Sequence, residues 1–111
     1  MSKQNQHIIN IEPAKQEVNL KKVKIALKRA LDDYEDSRQT DDEFFDVYEF
    51  LNDSLGEGFS SSTTRNYLNP NNDRFFEPEK LLLICDLINN YRPIDALITY
   101  FNHRKSLRCR S

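Results

Sequence analysis

Apolar residues recur along this chain with helical spacing, in five separate stretches. From about Pro13, or from Asn19 as a later cap, to near Asp36, the residues Leu20, Val23, Leu27, Ala30, Leu31 and Tyr34 keep the i, i+3, i+4 rhythm of one helix face. Lys21, Lys22, Lys24, Lys28 and Arg29 fall between them and are expected on the outer face. Thr40 with Glu43 forms a capping-box pattern that predicts the start of a second helix, with Phe44, Val47, Tyr48, Leu51 and Leu55 as its inner stripe. A third helix is expected from Ser61 to Asn69, capped by Ser60 and ended by Pro70, whose ring cannot continue a helix. Pro78 suits the first position of a fourth helix, where Leu81, Ile84, Cys85 and Ile88 share a face that Leu82, Leu83 and Leu87 widen. Pro93 opens a fifth, with Ile94, Leu97, Ile98 and Phe101 expected inward. No internal repeat or low-complexity block interrupts the pattern.

These stretches predict an all-α fold of about five helices. The expected organisation is a mobile segment over residues 1–12, a single helical domain over 13–102 and a basic tail over 103–111. A chain of 111 residues suits one domain. The apolar share of 38% keeps its core small. Two glycines and four prolines are too few for an all-β fold rich in tight turns. No apolar run approaches the roughly 18–20 residues that span a bilayer, and Met1 to Asn10 lacks a signal-peptide apolar region. Cys85 lies in an apolar helix and Cys109 in a polar tail, which argues against a disulfide framework and for a cytoplasmic protein.

Both glycines, Gly56 and Gly58, sit in the connection between the second and third helices, where positive φ is most needed. Thr64 and Leu68 are expected inward, and Ser61, Ser62, Arg65 and Asn66 outward. Two helices joined by a short glycine turn, the second opening with small polar residues, Arg and Asn, is the arrangement with which a helix-turn-helix enters a DNA major groove. Arg can fork onto guanine and Asn onto adenine. Ser61, Ser62 and Thr63 suit phosphates or base edges near the free N–H groups of a helix start, or they serve as caps. Asn71, Asn72 and Asp73 read as a turn that could touch a flanking phosphate through Arg74.

The run from Ser60 to Asp73, SSSTTRNYLNPNND, resembles the signature of phage CII-type regulatory proteins, in which Ser-x-Ser-Thr-Leu-x-Asn-x-Leu-Asn-Pro ends the recognition helix. The helix expected from Glu79 to Asn90 and the short one at Ile94–Leu97 continue the likeness, which covers about half the chain, from Leu51 to Phe101. The resemblance implies a lambda-repressor-like bundle and a helix-turn-helix transcription regulator of phage or prophage origin. It implies double-stranded DNA as partner. A homo-oligomer, dimer or tetramer, is expected because a single reading head usually needs a second for useful affinity. The residues expected to contact DNA are Ser61, Ser62, Thr63, Arg65, Asn66 and Arg74. The sequence departs from the pattern in a turn about two residues longer, in Thr64 at a bulky apolar position, and in an acidic second helix.

Charge is unevenly placed behind the net value of −2. Residues 1–30 hold seven Lys/Arg against two acids, residues 31–58 one against eleven, and residues 59–111 eight against five. Lys and Arg from the first helix or the tail could hold phosphates by displacing counterions. Asp42, Glu43, Asp46, Glu49 and Asp53 flank the apolar stripe of the second helix and are expected exposed, either as a solvated face or as a docking surface for a basic partner. The alternative function is therefore a protein-interaction module that binds another regulatory protein. Phe45, Phe50, Tyr91 and Tyr100 fall off the main stripes, as an oligomer interface or as core in a bundle with wider faces.

No enzyme is expected. His7 and His103 lie near the ends, Cys85 has no evident base beside it, and no glycine-rich phosphate loop, calcium loop or metal-ligand cluster is present. No cofactor is expected.

Overall fold

The computed structural model describes the backbone of residues 2–110 and the side chains of residues 20–104. Five α-helices follow one another: α1 (Ser2–Arg38), α2 (Val47–Leu55), α3 (Ser61–Leu68), α4 (Pro78–Ile88) and α5 (Arg92–Arg110). Among the described residues there is no strand. The all-α class and the number of helices agree with the apolar periodicity.

α1 is 37 residues long, about 55 Å at 1.5 Å per residue, and accounts for an elongated molecule of 65 × 25 × 22 Å. It begins at Ser2 rather than at Pro13 or Asn19, so residues 2–12, read as mobile, continue its backbone. α5 likewise runs through the stretch read as a basic tail, to Arg110. Neither stretch carries a sustained apolar stripe, which is why periodicity ends the helices early. The side chains of Lys105, Arg108, Cys109 and Arg110 lie outside the described residues.

The core gathers one face of α1, α2, α4 and α5. Val23, Leu27, Ala30 and Leu31 of α1 meet Val47, Tyr48 and Leu51 of α2, then Leu81, Ile84, Cys85 and Ile88 of α4 and Leu97 of α5. Phe59 and Phe76, from the connections flanking α3, complete it. Each fully buried Leu or Ile contributes about 1.5–3 kcal/mol. Burial pushes the Cys85 thiol above its ordinary pKa, as expected of an inert core cysteine.

α2 starts seven residues after Thr40. Half of the Thr40–Glu43 pattern forms, Glu43 N donating to Thr40 Oγ1 at 2.9 Å while Thr40 N donates to the Glu43 carbonyl at 3.3 Å, and it ties a loop rather than a helix. Gln39 holds that loop by exchanging hydrogen bonds with the Phe45 backbone in both directions, at 2.6 and 3.0 Å. The cap is Asp46, whose Oδ1 accepts from Tyr48 N at 3.0 Å and Glu49 N at 3.4 Å. Glu35 of α1 reaches across to accept from Val47 N at 2.9 Å. Two carboxylates thus satisfy the free N–H groups of the first turn and favour its positive dipole end. Phe44, assigned to the inner stripe, is left in the loop and is 82% exposed.

Phe45 and Phe50 pack with Tyr34 in a cluster of three rings with centroids 5.3–5.9 Å apart, over which the Arg38 guanidinium lies. They therefore belong to the bundle. On α4 and α5, Leu82, Leu83, Ile98 and Phe101 are exposed rather than inward. Both helices bury a single narrow face, and these residues are turned off it.

Candidate nucleic-acid interface

α3 would not hold as an isolated helix. Eight residues are too few for helix stability in water, and Ser, Thr and Asn are weak helix formers. Its position is imposed from both ends and from beneath. At the start, Gly56 (φ 83°, ψ −151°) ends α2 in backbone that only glycine adopts without strain, and Gly58 (φ 91°) turns the chain again. Ser60 then caps α3, its Oγ accepting from Thr63 N at 3.3 Å and donating to Thr63 Oγ1 at 2.9 Å. Beneath, Thr64 is fully buried, and Tyr67 meets Phe76 edge to face with centroids 4.9 Å apart. The buried Thr64 hydroxyl donates to the Phe59 carbonyl at 3.5 Å.

The far end is held by a residue that the periodicity places wrongly. Lys24 of α1, assigned to the outer face, is only 2% exposed. Its ammonium donates to the carbonyls of Asn69 (2.8 Å), Arg74 (3.1 Å) and Asn72, so that three backbone acceptors converge on one cation. Its ring neighbour is Phe75, with Nζ 5.9 Å from the centroid. Burial pulls the Lys24 pKa below that of free lysine, opposed by the Asp73 carboxylate. The loop is further tied by Asn71 N to Asn69 Oδ1 (2.9 Å), Arg74 N to Asn72 Oδ1 (3.0 Å) and Asn72 Nδ2 to the Asn66 carbonyl (3.0 Å). Lys24 lies four residues after Leu20 and three before Leu27, at the edge of the stripe, but nothing near it in the sequence supplies acceptors for its charge.

With α3 so fixed, Ser62, Arg65 and Asn66 are its exposed residues. Ser62 and Asn66 form a ridge at i and i+4. The Asn66 side-chain amide makes no hydrogen bond among the described residues. Ser61 and Thr63 are half-buried and partly engaged, Ser61 Oγ accepting from Arg65 Nε at 3.1 Å and Thr63 taking part in the cap. Arg65 leans toward α2, its guanidinium 4.2 Å from the centroid of Tyr48. Arg74 is exposed on the loop behind, its backbone held by Lys24 and Asn72. Five of the six residues singled out by sequence thus lie on one short helix, and the sixth follows on the loop that ends it.

Comparison with protein-family models, with curated proteins and with solved structures gave no match.

The surroundings are charged with both signs. Asp42, Glu43, Glu49 and Asp53 are exposed as expected, whereas Asp46 is half-buried in its capping role. Lys28 pairs with Asp32 one turn along α1, with Nζ 2.9 Å from Oδ2. Among the described residues no helix is long and apolar enough to cross a membrane, and no group of three or more His, Cys, Asp or Glu side chains is placed to hold a metal ion.

Proposed function

We propose that the protein is a sequence-specific DNA-binding transcription regulator of the phage CII type, with α2 and α3 as a helix-turn-helix and α3 in the major groove. The observation that carries this reading is the outward ridge of α3. Ser62 and Asn66 face away from the bundle, with Arg65 exposed beside them and leaning over Tyr48, on a helix whose opposite side is locked by Thr64, Tyr67 and the Lys24-bound loop. Rigid support beneath exposed amide and guanidinium groups is what base readout requires. Asn66 addresses a base edge, Arg65 a base edge or a phosphate, Ser61, Ser62 and Thr63 the helix-start phosphates or adjoining edges, and Arg74 a flanking phosphate. The protein acts as an oligomer, since one eight-residue reading head presents little contact area and a second multiplies affinity. The exposed Leu82, Leu83, Ile98 and Phe101 of α4 and α5 support self-association.

Titration against genomic-fragment and random duplexes at two salt concentrations tests the reading. The regulator binds with a steep salt slope, and Arg65→Ala loses roughly 1–3 kcal/mol at the specific site. Salt-independent or absent binding, with Arg65→Ala indistinguishable from the parent, removes it.

One observation favours the second reading, an interaction module that docks another regulatory protein. Phe44 stands exposed beside Asp41, Asp42 and Glu43, an aromatic anchor in an acidic loop suited to a basic partner. Phe44→Ala leaves DNA titrations unchanged under the first reading and abolishes partner capture under the second.

A further inference from the structure

The groove between α1 and α3 contains a hollow beside the outward-facing Ser62 and Asn66. Lys28 of α1, Tyr48 of α2, and Arg65, Leu68 and Asn69 at the end of α3 line an open space of about 270 Å³. With about 30 Å³ per water in the liquid, that is room for a phosphate group and several waters. Two cations and a phenol from three different helices converge on it. Arg65 is laid over the Tyr48 ring and uses only Nε, toward Ser61, among the described hydrogen bonds, which leaves its two terminal nitrogens to fork onto an anion. Burial raises the Tyr48 hydroxyl above its ordinary pKa, and the charges of Lys28 and Arg65 reach it and work the other way. Asp32 and Glu35 oppose them there. Glu35 is engaged at the start of α2, through Val47 N. Asp32 holds Lys28 through both carboxylate oxygens, at 3.0 and 2.9 Å, in a pair that is about half exposed. Exposed pairs of this kind are weakly held and readily exchanged for a doubly bonded anion.

We propose that Lys28, Tyr48 and Arg65 form a seat for one backbone phosphate of the bound duplex, beside the base-reading ridge of α3, with Asp32 competing for Lys28 when the seat is empty. The inference rests on the DNA-binding reading and deepens it, because it makes α1 part of the interface and gives Arg65 a phosphate rather than a base as its partner. It also assigns Asp32 a role as an internal stand-in for the phosphate, so that removing its charge strengthens binding. A base contact by Arg65 has no such dependence on Asp32.

The test is fluorescence anisotropy with the full-length chain and a random-sequence duplex over a series of salt concentrations. Lys28→Gln lowers affinity about fivefold and flattens the salt slope by about one, equally for all sequences. Asp32→Asn raises affinity and steepens the slope. Arg92→Gln, the same charge change at the exposed start of α5, serves as the control and moves neither by as much. Denaturant unfolding of each variant verifies that the fold is kept. If the parent binds with a steep slope while Lys28→Gln and Asp32→Asn leave it unchanged, or if Arg92→Gln matches Lys28→Gln, the phosphate seat is wrong and the regulator reading stands. If the parent shows no salt-dependent binding, both go. Inorganic phosphate titrated at constant ionic strength separates the two phosphate sources. Saturable shifts of the Tyr48 ring resonances that leave duplex affinity untouched would reassign the hollow to a free anion and overturn the proposal.

Discussion

α2 and α3 are neighbours of similar length, joined by five residues, and they are held by opposite means. α2 carries its own anchor: Val47, Tyr48 and Leu51 are buried, and its acids point out. α3 buries only Thr64 fully, with Tyr67 and Leu68 partly buried against the core, and much of its support comes from groups outside it: the Ser60 cap, the Phe59 and Phe76 rings, and the Lys24 ammonium on the loop that follows. The contrast shows what it takes to expose a row of polar side chains on a rigid rod. A helix anchored by an apolar stripe spends that face on the core. A short helix pinned through its ends and through backbone carbonyls keeps its remaining circumference for contact with something else.

Four substitutions probe that contrast, in decreasing size. Leu51→Ala empties a fully buried site in the α2 stripe and destabilises the fold by about 2–5 kcal/mol in denaturant unfolding. A loss below 1 kcal/mol would mean that α2 is not anchored through its apolar face.

Lys24→Met keeps the bulk of the side chain but strands three carbonyl acceptors, at a cost of about 1–3 kcal/mol. Hydrogen exchange should accelerate at Asn69–Arg74 and along α3 before it does so in α2. Uniform acceleration through both helices would erase the distinction between them. The same variant carries a pH signature. A lysine whose folded pKa is lowered binds its proton more tightly in the unfolded chain, so its burial penalty applies in full below the folded pKa. The penalty fades as pH rises toward the unfolded value near 10.4. Stability of the parent should thus rise with pH, relative to Lys24→Met, over the alkaline window below that value.

Capping supplies the smallest test. Ser60→Ala and Asp46→Ala each remove an N-cap and cost about 0.5–2 kcal/mol. The Asp46 loss should be the smaller, because Glu35 still accepts from Val47 N, whereas no second side chain backs up Ser60 among the described residues. Equal losses would indicate that the Glu35 contact adds nothing.

Much of α3 was legible in the linear sequence because its boundaries are local chemistry. A serine cap acts within three residues, a proline stop acts on its own turn, and glycines with positive φ answer to their own backbone. The outward placement of Ser62, Arg65 and Asn66 followed from those boundaries and from the inward Thr64. The start of α2 was misplaced by the same kind of reasoning, because two capping signals compete there. Thr40–Glu43 is satisfied as a loop, while Asp46 is reinforced by Glu35 from α1. The lean of Arg65 onto Tyr48 was not legible, since it depends on how α2 crosses α3.

By itself the sequence determined an all-helical chain of five segments, the extent of α3 and most of the buried apolar residues, since period and capping are set by neighbours within a few positions. Tertiary structure alone decided that Lys24 is buried, that Phe44, Ile98 and Phe101 are not, and that Lys28, Tyr48 and Arg65 surround one hollow. The physical reason is distance along the chain. The carbonyls that make burial of the Lys24 charge tolerable lie 45–50 residues away, and no local pattern records a solvation shell supplied from that far.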